Sequence, residues 1–177
     1  MTFRVGFVTG ATPDKWARAW RERERERLEL VPVFEEVQLD ELRTGSLSMA
    51  LVRLPVERDG LHLIPLYEEL PVVVMGIEHD ATVVDEVTMG DLAEEEFVDW
   101  RRFGISDAVS MVASGAGVLQ VPMSVARLHA RKDVTYRPVT DLPATTVGLA
   151  WRMDDEDPRI QRFVGIVRGR TARSSRD

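Results

Sequence analysis

Apolar and β-branched positions run together from Phe3 to Val8, and turn chemistry follows at Thr9-Gly10-Ala11-Thr12-Pro13, which predicts a strand, a loop and a helix start. Thr12 is placed to cap that helix, Pro13 suits its first position, and Asp14 favours the positive end of its dipole. Trp16 and Trp20, four apart, then share one buried face. The helix runs into the alternating charges Arg21–Arg27, where opposite charges fall three apart but like charges four apart, and a solvated face is expected there.

The pattern continues with a strand over 28–34, a helix over 35–44 stopped by Gly45, and a strand over 47–54. Strand-helix-strand-helix-strand in this order predicts βαβ crossovers and a parallel sheet with helices on both faces. Strands follow at 61–66 and 71–76; Val72-Val73-Val74-Met75 is a continuous apolar run of the kind expected when both faces are covered. From Ile77 to Asp99 the character changes: nine acidic residues and no Lys or Arg, with a short helical signal at 89–96. A helix over 107–116 closing on Gly115-Ala116-Gly117, a strand over 118–121, a helix over 122–131, strands over 134–139 and 145–151 and a last helix from Pro158 to Gly169 complete the reading. The predicted lobes are 1–75 with 143–177, and 76–142. The Arg- and Ser-rich end is expected to fray.

Composition narrows the function classes. At 44% hydrophobic and 30% charged residues, the 177-residue chain reads as an ordinary globular protein of one unit or two small lobes. A net charge of -7 argues against a surface that neutralises phosphates, so direct DNA binding by this chain is not expected. There is no cysteine, which removes disulfides, thiolate metal sites and a catalytic thiol. No apolar run approaches the ~20 residues of a membrane span and no signal peptide is legible, so a cytoplasmic location is expected.

Little in the chain is arranged for catalysis. His62, His79 and His129 lie in different predicted elements without ligand partners at helical spacing, so no metal site and no cofactor is expected. Neither a nucleophile elbow nor a phosphate-binding glycine loop is present. The Thr9–Thr12 loop does sit between the carboxyl end of a parallel strand and a helix amino terminus, where N–H groups and a hydroxyl can meet an anion; the alternative is a plain turn and cap. Arg53 is the cation expected at the same sheet edge, either gripping a carboxylate or closing a structural ion pair. Ser106 either caps its helix or presents its hydroxyl to a ligand, and the cations Arg168, Arg170, Arg173 and Arg176 suit a helix carboxyl end.

Four segments, taken in order, carry a resemblance: RVGFV at Arg4–Val8, LDELRTGSLSMAL at Leu39–Leu51, GLHLIPLYEE at Gly60–Glu69 and VASGAGVLQVP at Val112–Pro122. Together they resemble the effector-binding domain of LysR-type transcriptional regulators. The resemblance implies an α/β, type 2 periplasmic-binding-protein-like fold of two lobes with a hinge. It also implies a small-molecule effector, an anionic metabolite, held in the interlobe cleft and shifting lobe closure. The residues it points to are Thr9, Gly10, Ala11, Thr12, Arg53 and Leu54, with Ser106 and Met123 from the second lobe, and it implies a homodimer. The departures are a missing winged helix-turn-helix, so that the chain is a stand-alone sensor or one cut from a longer protein; a shortened 91–105 segment, hence a reduced second lobe; and Ser48 and Asp80 where aspartate and proline are usual. Two alternatives stay open: a lyase- or dehydratase-like enzyme on this fold, and an interaction module that uses the acidic 77–99 stretch.

Overall fold

A computed structural model describes residues 2–169. The chain divides into two compact units, Met1–Tyr67 with Thr146–Asp177, and Glu68–Thr145.

The first unit is built on a five-stranded sheet of order β2-β1-β3-β8-β4, with β1 Phe3–Val8, β2 Leu28–Val33, β3 Met49–Arg53, β4 Leu61–Glu69 and β8 Thr145–Arg152. β1 pairs in parallel with β2 and β3, as the crossover pattern predicts, whereas β8 returns antiparallel to β3. Alternate residues of each strand face opposite ways. On one face Phe3, Val5, Met49, Leu51 and Leu149 meet Trp16 and Trp20 of α1 (Asp14–Arg23) and Ile160 and Phe163 of α6 (Pro158–Val167). Trp20 stacks on Phe3 at 5.0 Å between ring centres, and its indole N–H donates to the Glu26 carbonyl at 2.8 Å, which removes the cost of burying that donor. On the other face Ala50, Val52 and Ala150 pack against Leu42 and Leu61.

Two expectations for this unit are corrected. The single helix over 35–44 is a 3₁₀ turn, Glu35–Val37, and a separate short helix, α2 (Asp40–Arg43); the Gln38 side chain between them turns away to bond the backbone of Arg53. The charge run is not simply a solvated helix face. α1 ends at Arg23, and beyond it Glu24 and Glu26 are both held by Arg162 of α6.

The second unit carries a three-stranded sheet, β6-β5-β7, with β5 Pro71–Gly76, β6 Leu119–Pro122 and β7 Val134–Pro138, both pairings antiparallel. The predicted boundary at 75/76 therefore moves. β5 is the central strand of this sheet, and the change of composition at Gly76 marks only the start of the acidic segment. Val72 and Val74 lie against α4 (Ile105–Ala113) and α5 (Met123–Leu128), with Trp100 of the four-residue α3 (Trp100–Phe103). Val73 and Met75, on the opposite face, are covered by Val87, Leu92, Val118 and Val139. The continuous apolar run thus does reflect two covered faces, but in an antiparallel sheet.

Part of the cover on that second face, Val87 and Leu92, comes from the acidic segment itself. Its helical signal at 89–96 is not realised: the residues form turns, tied down by isolated bridges Val87↔Val139 and Phe97↔Val118 and by Asp91, which accepts from the Thr88 amide at 2.8 Å. Those Thr88 bonds hold the Asp91 carboxyl below the usual carboxylate range. Val87 and Leu92 face the sheet, while most of the carboxylates and also Ile77, Val83, Val84 and Phe97 are exposed, so the segment is a loop pinned at a few apolar points whose spacing only imitates a helix. No helix among the described residues is long and apolar enough to cross a membrane.

Candidate functional site

The loop after β1 is shaped by its neighbours in the first unit. Gly10 adopts φ 87°, a left-handed conformation that glycine enters without steric cost, and the Ala11 amide donates back to the Val8 carbonyl at 3.0 Å. Pro13 occupies the cap position of α1, and no side chain caps the helix. Thr12, expected as the cap, is instead exposed one residue further out. The Trp16 and Ala17 amides both donate to the Pro13 carbonyl at 3.0 Å, so it is the Asp14 and Lys15 amides that no side chain caps and that an acceptor from outside the helix could meet.

Arg53 ends β3, a strand buried along its whole length. Its Nη1 donates to Glu35 Oε2 at 2.8 Å and its Nη2 to the Thr9 carbonyl at 2.9 Å. The Arg53 side chain is 3% exposed and that of Glu35 14%. Gln38 clamps the backbone of Arg53 from both sides, accepting from its amide at 2.8 Å and donating to its carbonyl at 3.1 Å. Of the two roles open to Arg53, the structure shows the ion pair, and it shows the guanidinium reaching the loop after β1 through the Thr9 carbonyl. Leu54, next in sequence, is half-buried and donates its amide to the Thr146 carbonyl at 2.8 Å.

Glu35 and Gln38 escaped the sequence reading because both were assigned to a helix. Both follow β2 and lie eighteen and fifteen residues upstream of Arg53, so no local spacing pairs them with it. The same two residues line an open cavity of about 420 Å³ with Leu39, Asp40, Arg43 and Glu57.

In the second unit Ser106 is the second residue of α4 and exposed. It does not cap the helix, whose cap position is Gly104 at φ 80°. Ser106 lines a cavity of about 290 Å³ with Val109, Ser110, His129, Ala130 and Arg131; burial pushes the His129 imidazole below its ordinary pKa, favouring the neutral form. Met123 opens α5 and lies half-buried against the Val72–Val125 core. A larger cavity, about 500 Å³, is lined by Ile77, His79, Glu95, Val112 and Gly117 among others. There His79 Nδ1 accepts from the Ala81 amide at 3.1 Å, which leaves Nε2 to face Glu95 at 3.1 Å.

Among the described residues no group of three or more His, Asp or Glu side chains is placed to hold a metal ion. Arg168 stands at the carboxyl cap of α6, where a cation meets the helix dipole, while Arg170, Arg173 and Arg176 lie outside the described residues.

Comparison with known proteins covers nearly the whole chain. The family model described as the LysR substrate binding domain matches residues 2–108 and 104–172. The Hca operon transcriptional activator HcaR of Escherichia coli (strain K12) is 24% identical over 200 aligned residues, covering 95% of this chain and 67% of that protein. The HTH-type transcriptional regulator AlsR of Bacillus subtilis (strain 168) is 23% identical, covering 92% of this chain and 64% of that protein. The chain therefore spans about two thirds of the length of these regulators. Among solved structures, a mutant OxyR regulatory domain from Pseudomonas aeruginosa superposes with a TM-score of 0.76 at 24% identity, covering 95% of this chain and 96% of that one. The BenM effector binding domain with its effector benzoate gives 0.78 at 20% identity, covering 96% and 94%. The fold is that of these regulatory domains, the type 2 periplasmic-binding-protein fold.

Proposed function

The chain belongs to the LysR substrate-binding domain family, and from that membership we propose that it is the sensory part of a transcriptional regulator, binding a small-molecule effector. The observation that carries this reading is the match of the family model to nearly every described residue. The loop supports it locally: Thr9, Gly10, Ala11 and Thr12 stand between the carboxyl end of β1 and the uncapped start of α1, where an anionic group finds open N–H donors. Leu54 belongs to the same unit, and Ser106 and Met123 are the effector residues proposed for the second unit.

The reading is of a sensor, not an enzyme. The effector acts by preferring one conformation of the domain, and it can shift that equilibrium only by its difference in affinity for the two states. A homodimer and a cytoplasmic location go with this role. Native mass spectrometry of the purified chain, followed by a thermal-shift screen of small carboxylates and other metabolites, tests it. The expected outcome is a bound small molecule or a rise in Tm that grows with the logarithm of ligand concentration, about 2.7 kcal/mol of added stability at one hundred times Kd. A chain that carries no small molecule and responds to no metabolite class would refute the sensor reading.

A further inference from the structure

We propose that Arg53 is a positioning residue for the effector loop, and that Glu35 and Gln38 exist to hold it in that role. The inference rests on the sensor reading for its purpose, but not for its test. Three observations carry it. First, the guanidinium is buried and its fork is divided, one nitrogen on the Glu35 carboxylate at 2.8 Å and the other on the Thr9 carbonyl at 2.9 Å. Second, Glu35 supplies the opposite charge at that point, so Arg53 reaches the loop as half of a neutral pair and not as a free cation awaiting a carboxylate. Third, Gln38 fixes the backbone of Arg53 through both its amide and its carbonyl, which anchors the point from which the side chain reaches Thr9.

The consequence for the loop is geometric. Thr9 directly precedes Gly10, whose left-handed φ turns the chain, and Ala11, whose amide closes the turn onto Val8. Holding the Thr9 carbonyl from beneath fixes the peptide plane from which that turn departs. It thereby fixes where the loop N–H groups point. Preorganised donors bind more tightly than donors that must be ordered on binding, so the arginine contributes to affinity without touching the ligand. Glu35 and Gln38 lie on the segment between β2 and α2, which couples that segment to the loop through one side chain.

Amide hydrogen exchange measured by NMR on the whole chain decides this without knowledge of the effector. Ala11 reports the loop, because its amide is bonded within it, and Phe163 of α6 reports the core of the same unit. Arg53→Met is expected to speed exchange at Ala11 at least about ten-fold more than at Phe163, the excess over the global loss of stability that the unpaired Glu35 brings being the signature of local opening. Glu35→Gln, which keeps an oxygen for Nη1 but removes the charge, is expected to fall between wild type and Arg53→Met, and it serves alone if Arg53→Met does not fold. Unchanged exchange at Ala11, or equal acceleration at Ala11 and Phe163, would overturn the proposal and leave the sensor reading intact. Failure of the metabolite screen with selective loosening of Ala11 would leave the positioning role standing without its purpose.

Discussion

Arg162 and Glu26 are joined across most of the chain: Nη2 of the arginine, on α6, donates to Oε1 of the glutamate, just past α1, at 2.9 Å, while Nη1 takes Glu24 at 2.7 Å. The same guanidinium lies 5.9 Å from the centre of the Trp20 ring. One side chain therefore ties the last helix of the first unit to the end of its first helix, over the aromatic cluster of Phe3, Trp20 and Phe163.

That tie has a pH signature. The side-chain hydrogen bond from Arg162 is the foremost cause that holds the Glu26 carboxyl below its ordinary pKa, followed by a backbone bond within Glu26. A carboxylate with a lowered pKa in the folded state contributes stability above its unfolded pKa and loses it as pH falls through the folded value. Arg162→Gln is expected to lower Tm at neutral pH, with the gap to wild type narrowing as the solution is acidified below the ordinary carboxylate range. Thermal melts of both proteins from pH 7 to pH 3 measure this, and a gap independent of pH would contradict it.

The two glycines after α4 are expected to respond differently to alanine. Gly117 has φ 131°, and a Cβ there would stand 2.2 Å from the Glu96 carbonyl oxygen, which already accepts from Val118 at 2.8 Å. Gly115 has φ 84° but open space around it. Urea denaturation should show Gly117→Ala losing more than about 2 kcal/mol and Gly115→Ala about 1 kcal/mol, the cost of the backbone conformation alone. Equal losses at both positions would mean that the Glu96 strap moves aside freely.

The acidic segment is expected to be held by its few apolar residues. Leu92 is 1% exposed and packs with Val73, Met75 and Val87. Leu92→Ala should cost about 2–5 kcal/mol by equilibrium unfolding. Glu94→Gln and Glu96→Gln, on exposed residues, should stay within about 0.5 kcal/mol. Comparable losses from the glutamate variants would show that charge, not burial, shapes the segment.

Most strands were legible because their signal is local: Phe3–Val8, Pro71–Gly76 and the stretch at Thr145 each concentrate apolar, β-branched residues between turn formers. The failures share one cause. Residues 35–44 and 89–96 have helical spacing, but in each a polar side chain bonds backbone in preference to continuing the helix: Gln38 to Arg53, and Asp91 to Thr88. The Thr9–Thr12 loop could be found from the strand-to-helix junction alone. The partner of Arg53 could not, since both an ion pair and a ligand contact suit an arginine at a strand end.

The order of elements, the two-faced burial of Val72–Met75 and the family resemblance were determined by the sequence itself, because period, turn chemistry and motif order are properties of neighbours along the chain. Only the tertiary structure decided that β5 belongs to the second sheet, that the acidic stretch folds as a strap, and that Arg53 faces Glu35 and Thr9. Those outcomes depend on which distant groups meet when backbone and charge are taken out of water. A buried guanidinium must be neutralised and hydrogen-bonded by whatever the fold brings to it. Here the fold brought a carboxylate from eighteen residues upstream and a carbonyl from forty-four.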